Sequence, residues 1–325
     1  MTARTEKVGT GFSMSPRGDK KQRTEKVGTG FSMSPRGEKK RLIVTADDFG
    51  AAVQVNDAVE RAHREGILSA ASLMVSAPAA ADAVKRAKAL PGLGVGLHLV
   101  LVEGRPALAA ADIPDLVDED GMFRNDMVRA SFAMFLRPKV RRQLAAEIEA
   151  QFEAFAATGL ALDHVNAHKH FHLHPTIAAT ILRVGRRFGM KAMRVPYEPA
   201  ALLRRIEPGA QGDFVVELWA RRLRRRLAAA GILSPERTFG LCWSGAMTAA
   251  RLAALLEHLP EGLSEIYLHP AAGPGYPGST PTYLYEQELA ALTSSQVVDI
   301  TKKSKITLGS FAGFLPRGEG AKVGR

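Results

Sequence analysis

From Arg41 onward, the chain alternates short apolar runs with longer segments in which apolar residues recur at helical spacing. Several short runs, such as residues 42–46, are almost continuously apolar instead of apolar at every second position. Continuous runs are expected when helices cover both faces of a parallel sheet. Seven or eight strand–helix units of this kind predict a single-domain α/β fold, a (β/α) barrel that is distorted or incomplete.

The positions of the individual elements follow from the same pattern. The predicted strands are residues 42–46, 70–75, 95–99, 164–168, 192–195, 238–242 and 265–268, with a further candidate at 297–300. The predicted helices are residues 53–65, 78–89, 141–158, 176–187, 214–230, 247–258 and 283–293. Residues 101–140 are rich in Pro and Asp and fit no unit, so we expect an insertion on one rim of the barrel.

The two ends of the chain differ from this central part. Residues 4–18 have the sequence RTEKVGTGFSMSPRG, and residues 23–37 have the identical sequence. Each copy has only Val, Phe and Met as sizeable apolar residues, too few to offset the entropy lost on ordering. We therefore expect a disordered extension at 1–40, a domain at 41–312 and a flexible basic tail at 313–325.

Charge and cysteine content limit the kinds of binding partner and the cellular compartment that we expect. Of the net charge of +11, residues 1–40 supply +6, from ten Lys or Arg against four Asp or Glu. This concentration of charge, without a recognised nucleic-acid-binding motif, argues against nucleic acid as a partner. A single cysteine excludes a disulfide framework, and no secretory signal or membrane-spanning run is evident. A cytoplasmic location is expected.

Polar residues stand where four of the predicted strands end. Asp47 and Asp48 follow the first strand, while His98, His168 and His269 close the third, fourth and seventh. The carboxyl ends of barrel strands form the active-site face, so these side chains are expected to converge at one mouth. Other interpretations remain open: a helix N-cap for the Asp pair, a core histidine for His98, and a strand-end histidine held by its own loop for His269.

Five of the nine histidines lie at alternate positions between residues 163 and 175. On a strand they would all point to one face, where metal binding or proton transfer would use them. Not all five can be metal ligands, so His170 and His172 are expected in the loop that leaves the strand, where they bind substrate or support the ligands. The alternative is a solvated histidine-rich loop.

One carboxylate from the Asp pair and two histidines would form a facial ligand set that leaves positions open for water and substrate. Zn²⁺ fits this set well, and Mg²⁺, Fe²⁺, Co²⁺ or Ni²⁺ are further candidates. Such a cation lowers the pKa of bound water from 15.7 to about 7. The second carboxylate of the pair could then act as a general base, so the sequence predicts a metal-dependent hydrolase.

The ordered segments TADDFG, GVGLHL, HVNAHKHFHLHP and EIYLHP resemble those of the YdjC/ChbG-like carbohydrate deacetylases, over residues 41–311. The amino-acid sequence of these segments is most similar to the hopanoid-biosynthesis-associated branch of that family. The resemblance implies a distorted barrel of the polysaccharide-deacetylase type that removes N-acetyl groups from sugars. It implies Asp48, His98 and His168 as metal ligands, Asp47 as general base and His269 as catalytic acid. Relatives often carry Asp where this chain has Asn166.

Two further side chains are candidates for substrate binding. Arg194, after the fifth strand, could bind sugar hydroxyls or orient a carboxylate, or it could form an ordinary surface ion pair. Trp243, after the sixth strand, could stack on a sugar ring or pack in the core. The basic helix near 216–230 places Trp219, Leu223 and Leu227 on one stripe, which fits either a barrel helix or a helix lying on an anionic membrane.

Three functions remain open on the sequence. The first is deacetylation of an N-acetylated amino sugar, for example the N-acetylglucosaminyl headgroup of a glycolipid such as a hopanoid. The second is metal-dependent hydrolysis of another amide, ester or phosphate bond, since the ligand set alone does not choose. The third is a non-catalytic barrel that binds carbohydrate or lipid. Asp47 disfavours the third, because a binding module does not need a spare carboxylate beside a ligand.

Overall fold

A computed structural model describes residues 39–126 and 137–316 of the chain. Its centre is a sheet in the order β4-β3-β2-β1-β6-β5, and every neighbouring pair in it is parallel. A short strand, β7, adds to the amino-terminal end of β1. The strands are β1 (Lys40–Phe49), β2 (Ala70–Leu73), β3 (Gly94–Leu99), β4 (Val165–Ala167), β5 (Arg237–Phe239), β6 (Gly262–Leu268) and β7 (Thr307–Leu308).

Helices connect these strands and cover the outside of the sheet. Helix α1 is typical: Val55, Ala58, Val59 and Ala62 lie on its buried face at intervals of three and four residues. The helices of the described residues are α1 (Val53–Glu65), α2 (Ala80–Lys88), α3 (Pro138–Ala157), α4 (Pro175–Gly185), α5 (Ala200–Ile206), α6 (Phe214–Ala229), α7 (Ala249–Glu257), α8 (Tyr285–Thr293) and α9 (Ser295–Lys303). Strands buried on both sides account for the continuous apolar runs in the sequence.

The barrel is incomplete between β4 and β5. The segment at residues 191–197 fills this gap, but it makes isolated bridges, Met193 with Val165 and Ala192 with Leu233, instead of a continuous ladder. On the other side, the amide of Thr238 in β5 donates to the carbonyl of Tyr197. The prediction of a distorted or incomplete single-domain barrel is therefore confirmed.

The structure corrects several details of the predicted elements. Residues 297–300, a candidate strand, lie inside α9, and α5 was not predicted at all. The segment 192–195 is extended but forms only the isolated bridges, and the strand predicted at 164–168 ends at Ala167. The extension predicted at 1–40, the tail from 317 and residues 127–136 of the predicted insertion lie outside the described residues, apart from residues 39 and 40.

Two glycines of β3 allow neighbouring side chains to approach the sheet closely. A Cβ atom on Gly96 would lie 2.5 Å from the ring of His164, and one on Gly94 would lie 2.7 Å from Cγ of Asp163. The His164 ring is held between the Asp163 carboxylate, at 2.9 Å, and the Ser72 hydroxyl, at 3.0 Å. The absence of a side chain at Gly96 is therefore a packing requirement.

Gly96→Ala is expected to destabilise the fold, because the new methyl group must displace the His164 ring from its two partners. We expect a loss of about 1–3 kcal/mol in the free energy of unfolding, measured by urea denaturation. Gly209→Ala is the matched control, since a Cβ at this exposed site meets nothing within 4 Å. Equal stability of the two variants would contradict the packing argument.

Candidate metal centre and active site

Three side chains from three strand ends meet at the mouth of the barrel. Oδ1 of Asp48 lies 3.3 Å from Nε2 of His98 and 3.3 Å from Nδ1 of His168. Each residue offers one potential ligand atom, and these three atoms all lie within 4.8 Å of one another. Asp48 belongs to β1, His98 to β3, and His168 directly follows β4. The predicted convergence of these residues is thus present.

An irregularity at the end of β1 turns both neighbouring aspartates toward this mouth. Adjacent residues on a regular strand point to opposite faces. Between Ala46 and Phe49, however, β1 has one residue more than β2 over the same span, and Asp48 has a φ of 61°. Asp is one of the few residues other than glycine that adopt this left-handed conformation with some frequency. The bulge therefore places the Asp47 and Asp48 carboxylates side by side.

The donor atoms of this cluster fit a divalent cation. Oδ1 of Asp48 and Nε2 of His98 are buried, and neither has a hydrogen-bond partner in the described residues. Buried polar atoms are normally satisfied, so two that face one point indicate a ligand. Nδ1 of His98 lies 2.7 Å from Oδ1 of Asn166, an amide oxygen that only accepts, which leaves the lone pair of Nε2 for the metal. One oxygen and two imidazole nitrogens suit Zn²⁺ and other divalent ions.

Asn166 also connects His98, a candidate ligand, to Asp47. Its amide nitrogen donates to Oδ1 of Asp47 at 3.1 Å and to the hydroxyl of Ser72 at 2.9 Å. An Asp at this position would bring a second carboxylate against Asp47. The amide nitrogen of Asn166 instead supplies a donor to Asp47.

Beneath the mouth, Arg194 lies between two buried carboxylates. Its guanidinium donates to both oxygens of Asp47, at 2.5 and 3.0 Å, and to Oε1 of Glu265, at 2.7 and 2.9 Å. All three side chains are almost fully buried. Burial alone would raise the pKa of Asp47, but the positive charge of Arg194, with a smaller contribution from His98, lowers that pKa well below its usual value. Asp47 is therefore ionised throughout the neutral range.

Arg194→Met is expected to destabilise the protein strongly, because it leaves Asp47 and Glu265 buried without a cation. Removing one partner of a buried ion pair costs about 3–5 kcal/mol. The pKa of Asp47 is lowered in the folded protein, so its stabilising contribution is present above the unfolded value of about 3.9 and is lost as the pH falls. In the Arg194→Met variant, low pH protonates the buried carboxyl groups, and the loss of their charge reduces the destabilisation.

The difference in unfolding free energy between wild type and Arg194→Met should therefore be larger at pH 7 than at pH 4. It is measured by urea denaturation in the presence of a chelator, so that metal content does not contribute. Arg61→Met, at an exposed position of α1, is the control and should change stability by less than about 0.5 kcal/mol. A penalty that grows toward low pH would contradict the assigned ion pairs.

A cavity of about 460 Å³ opens over these groups. Asp47, Asp48, His98 and His168 form its floor, and His170, Tyr267 and His269 line it as well. The Tyr267 hydroxyl lies 2.8 Å from Nε2 of His170, and the backbone amide of His269 donates to the Glu288 carboxylate at 2.5 Å. The side-chain Nδ1 of His269 is buried and has no hydrogen-bond partner in the described residues.

The histidine-rich segment leaves its strand at His168 and turns sharply. Residues His168–Leu173 form a 3₁₀ turn in which Lys169 and His170 both have a φ of 54°. Burial and the charge of Arg194 lower the pKa of His170 well below its usual value and the pKa of His172 to about 3. Both imidazoles are therefore neutral at pH 7. His170 and His172 lie in the turn that leaves the strand, where the sequence placed them, so the five histidines do not share one strand face.

Three residues predicted to bind substrate lie away from the cavity. His172 and Arg194 are fully buried, Trp243 is nearly so, and none of them lines the cavity. Arg194 instead orients the Asp47 carboxylate, and the surface ion pair considered for it is wrong. Trp243 packs in the core with the guanidinium of Arg251 5.5 Å from its ring. Of the predicted substrate-binding residues, His170 alone lines the cavity.

Sequence analysis missed several partners of these residues. Glu265 opens a predicted strand and is fully buried, yet it was not identified as the second partner of Arg194. Tyr267 and Glu288, which contact His170 and His269, were missed as well. The available signal was a charged residue inside an otherwise apolar strand, which is rarely fully buried unless it is paired.

The protein is thus an incomplete parallel α/β barrel. One carboxylate and two imidazoles at the carboxyl ends of its strands form a candidate metal centre in the mouth of the barrel. The chain belongs to the YdjC-like protein family, whose family model matches residues 41–303. The family resemblance inferred from the sequence is confirmed at this level.

Named relatives and a solved structure agree with this assignment. The carbohydrate deacetylase of Geobacillus stearothermophilus is 31% identical over 259 residues, which cover 79% of this chain and 90% of that protein. The carbohydrate deacetylase of Brevibacillus brevis is 40% identical over 148 residues, but the match spans only 56% of its length. The fold is shared with a protein of Enterococcus faecalis provisionally described as a cellobiose-phosphate cleavage protein, with a TM-score of 0.67, 21% identity and coverage of 86% of this chain and all of that one.

Proposed function

We propose that this protein is a metal-dependent hydrolase that removes the N-acetyl group from an amino sugar. The observation that carries the proposal is the pairing of Asp47 with a ligand set. An ionised carboxylate stands beside Asp48, His98 and His168 in one cavity, with its oxygens held by Arg194 and Asn166. A cation in that set would supply polarisation of a carbonyl oxygen and acidification of water. The relatives that are named carbohydrate deacetylases support the reaction type.

In this proposal, Asp47 removes a proton from the attacking water, and the water oxygen bonds to the acetamide carbon. Arg194 and Asn166 keep the Asp47 carboxylate oriented, so the base does not have to reorganise during proton transfer. His269 then donates a proton to the departing nitrogen as the C–N bond breaks. The products are acetate and a free amine on the sugar.

The cavity also suits a neutral polar substrate such as a sugar. Neutral His170 and the Tyr267 hydroxyl offer hydrogen-bonding groups without a net charge. The finer part of the proposal is the substrate itself: an N-acetylglucosaminyl headgroup of a glycolipid such as a hopanoid, which the sequence resemblance supports. Peripheral contact with a membrane would then bring the enzyme to this substrate.

The test is acetate release from a panel of N-acetylated mono- and oligosaccharides and glycolipids, with the purified protein, with chelator, and after metal is restored. We expect release that the chelator abolishes and that Zn²⁺ or another divalent ion recovers. O-acetyl esters and phosphate esters serve as competing substrates in the same assay. Faster turnover of those substrates would assign the second hydrolytic function, and binding of sugars without any turnover would assign the non-catalytic one.

A further inference from the structure

An exposed apolar cluster lies at the start of helix α6. Seven large apolar side chains are markedly exposed in the described residues, and four of them fall within six consecutive positions. These are Phe214, Val215, Leu218 and Trp219, with exposed fractions of 77%, 60%, 58% and 37%. Scattered exposed apolar residues are ordinary on a protein surface, but a contiguous group marks an interaction site. We call these four residues the apolar tip.

The geometry of α6 separates this tip from the core. Ala220, Leu223 and Leu227 lie on the buried side of the helix and attach it to the barrel. Of the stripe that the sequence placed on Trp219, Leu223 and Leu227, the two leucines are buried, as the barrel-helix interpretation predicts. The apolar tip instead occupies the first turn and a half of the opposite, outward face.

Arginines continue the same outward face beyond the tip. Arg221, Arg222, Arg225 and Arg226 occupy the next turns, and all four are exposed. Near the tip, the Asp213 carboxylate accepts from the amides of Val215 and Val216, and Glu217 neutralises Arg221. Arg222, Arg225 and Arg226 carry the positive charge of this face. The outer face thus combines bulky apolar groups at one end with a run of positive charge behind them.

The helix start also forms part of the wall of the active-site cavity. Asp213, Val216 and Glu217 line the cavity of about 460 Å³ that holds Asp47 and the metal ligands. Whatever binds the apolar tip therefore lies beside this wall of the cavity. A helix with a bulky apolar segment followed by arginines matches an anionic lipid surface, where acyl chains meet the former and phosphates the latter.

We propose that the apolar tip, together with Arg222, Arg225 and Arg226 of α6, docks the protein on an anionic lipid surface. Phe214 and Leu218 enter the boundary between headgroups and acyl chains, while the three arginines contact lipid phosphates. Resting on the proposed deacetylase function, the docked orientation brings this wall of the cavity next to the membrane, close to the sugar headgroup of a lipid substrate.

Flotation of the full-length protein with vesicles tests the docking without any activity measurement. Vesicles of phosphatidylcholine with 30% phosphatidylglycerol are compared with pure phosphatidylcholine, at low and at physiological salt. We expect binding to the anionic vesicles, and the double variant Phe214→Ser/Leu218→Ser should weaken it by roughly 10- to 100-fold. Arg222→Gln/Arg225→Gln should weaken it by about fivefold or more and reduce its salt dependence.

Leu308→Ser is the matched control, because Leu308 is also exposed but belongs to β7, at the amino-terminal end of the sheet. It should bind vesicles as wild type does. Equal binding by the Phe214→Ser/Leu218→Ser variant would overturn the proposal and assign any lipid attraction to other basic parts of the chain. Concentration-dependent dimerisation that the same variant abolishes, without vesicle binding by wild type, would identify a second copy as the occupant instead.

An activity arm separates this proposal from the deacetylase proposal. If both hold, the Phe214→Ser/Leu218→Ser variant loses acetate release from N-acetylglucosaminyl lipid in vesicles but retains it with a water-soluble N-acetylated sugar. Vesicle binding by wild type without acetate release from either substrate would contradict the deacetylase function alone. Acetate release without tip-dependent vesicle binding would contradict the docking surface alone.

Discussion

Asp47→Asn is expected to lower kcat for acetate release by about 100- to 10,000-fold, the usual contribution of a positioned general base. The substitution removes the proton acceptor but leaves Asp48, His98 and His168 in place. Metal content per protein chain, measured by elemental analysis, should therefore stay near the wild-type value. This combination of retained metal and lost turnover distinguishes a base from a ligand.

The variant also has a structural cost that the measurement must allow for. Both oxygens of Asp47 accept hydrogen bonds from Arg194, and Oδ1 accepts a further one from Asn166. An amide nitrogen in either position would face a donor, and one unsatisfied buried group costs about 1–3 kcal/mol. Glu265 still neutralises Arg194, so the fold should persist. The activity assay is run at a temperature at which thermal unfolding shows the variant to be folded. Asp299→Asn, at an exposed position of α9, is the control. Turnover within threefold of wild type would remove Asp47 from the role of base.

His168→Ala is expected to remove metal binding and, with it, nearly all acetate release. Changes to groups that merely support a ligand typically cost 10- to 100-fold in metal affinity, and loss of one of three protein ligands should exceed about 100-fold. His168 is partly exposed at the mouth, so its truncation should disturb the fold less than the loss of buried His98. Competition of the apo-protein with a chromogenic chelator gives the affinity directly.

The matched control is His258→Ala, because His258 is exposed at the end of α7 and its ring contacts the carbonyl of Ala254. It should bind metal and release acetate as wild type does. Wild-type affinity for metal in His168→Ala would show that the cation is held elsewhere, and it would undo the assignment of Asp48, His98 and His168 as one set.

The convergence of the three strand ends could be predicted because it depends on topology. Parallel strands bring their carboxyl ends to one edge, where Asp48, His98 and His168 lie. The irregularity that turns Asp48 toward the mouth was not predicted. Gly96, two residues before His98, permits the close approach of the His164 ring. Helix α1 was predicted at the same residues that the structure gives it, because its apolar spacing is regular.

Other features depend on distances between segments that the sequence does not encode locally. Arg194 pairs with Asp47 and Glu265 only because the irregular segment at 191–197 closes the gap beside β4. A charged residue in an apolar run does not reveal its partner when that partner is about 70 or 150 positions away. The short apolar run at 297–300 fits either a strand or a helix, and burial of Val297 and Thr301, four residues apart, decides for the helix.

The left-handed backbone at Asp48 has a consequence for ligand exchange. This residue supplies the only carboxylate of the cluster and also absorbs the irregularity at the end of β1, with a φ of 61°. A longer or β-branched replacement would carry a conformational penalty of roughly 1–2 kcal/mol before any change in coordination. Efforts to redesign metal selectivity in this barrel are therefore better directed at His98, which lies in the regular strand β3, than at the aspartate.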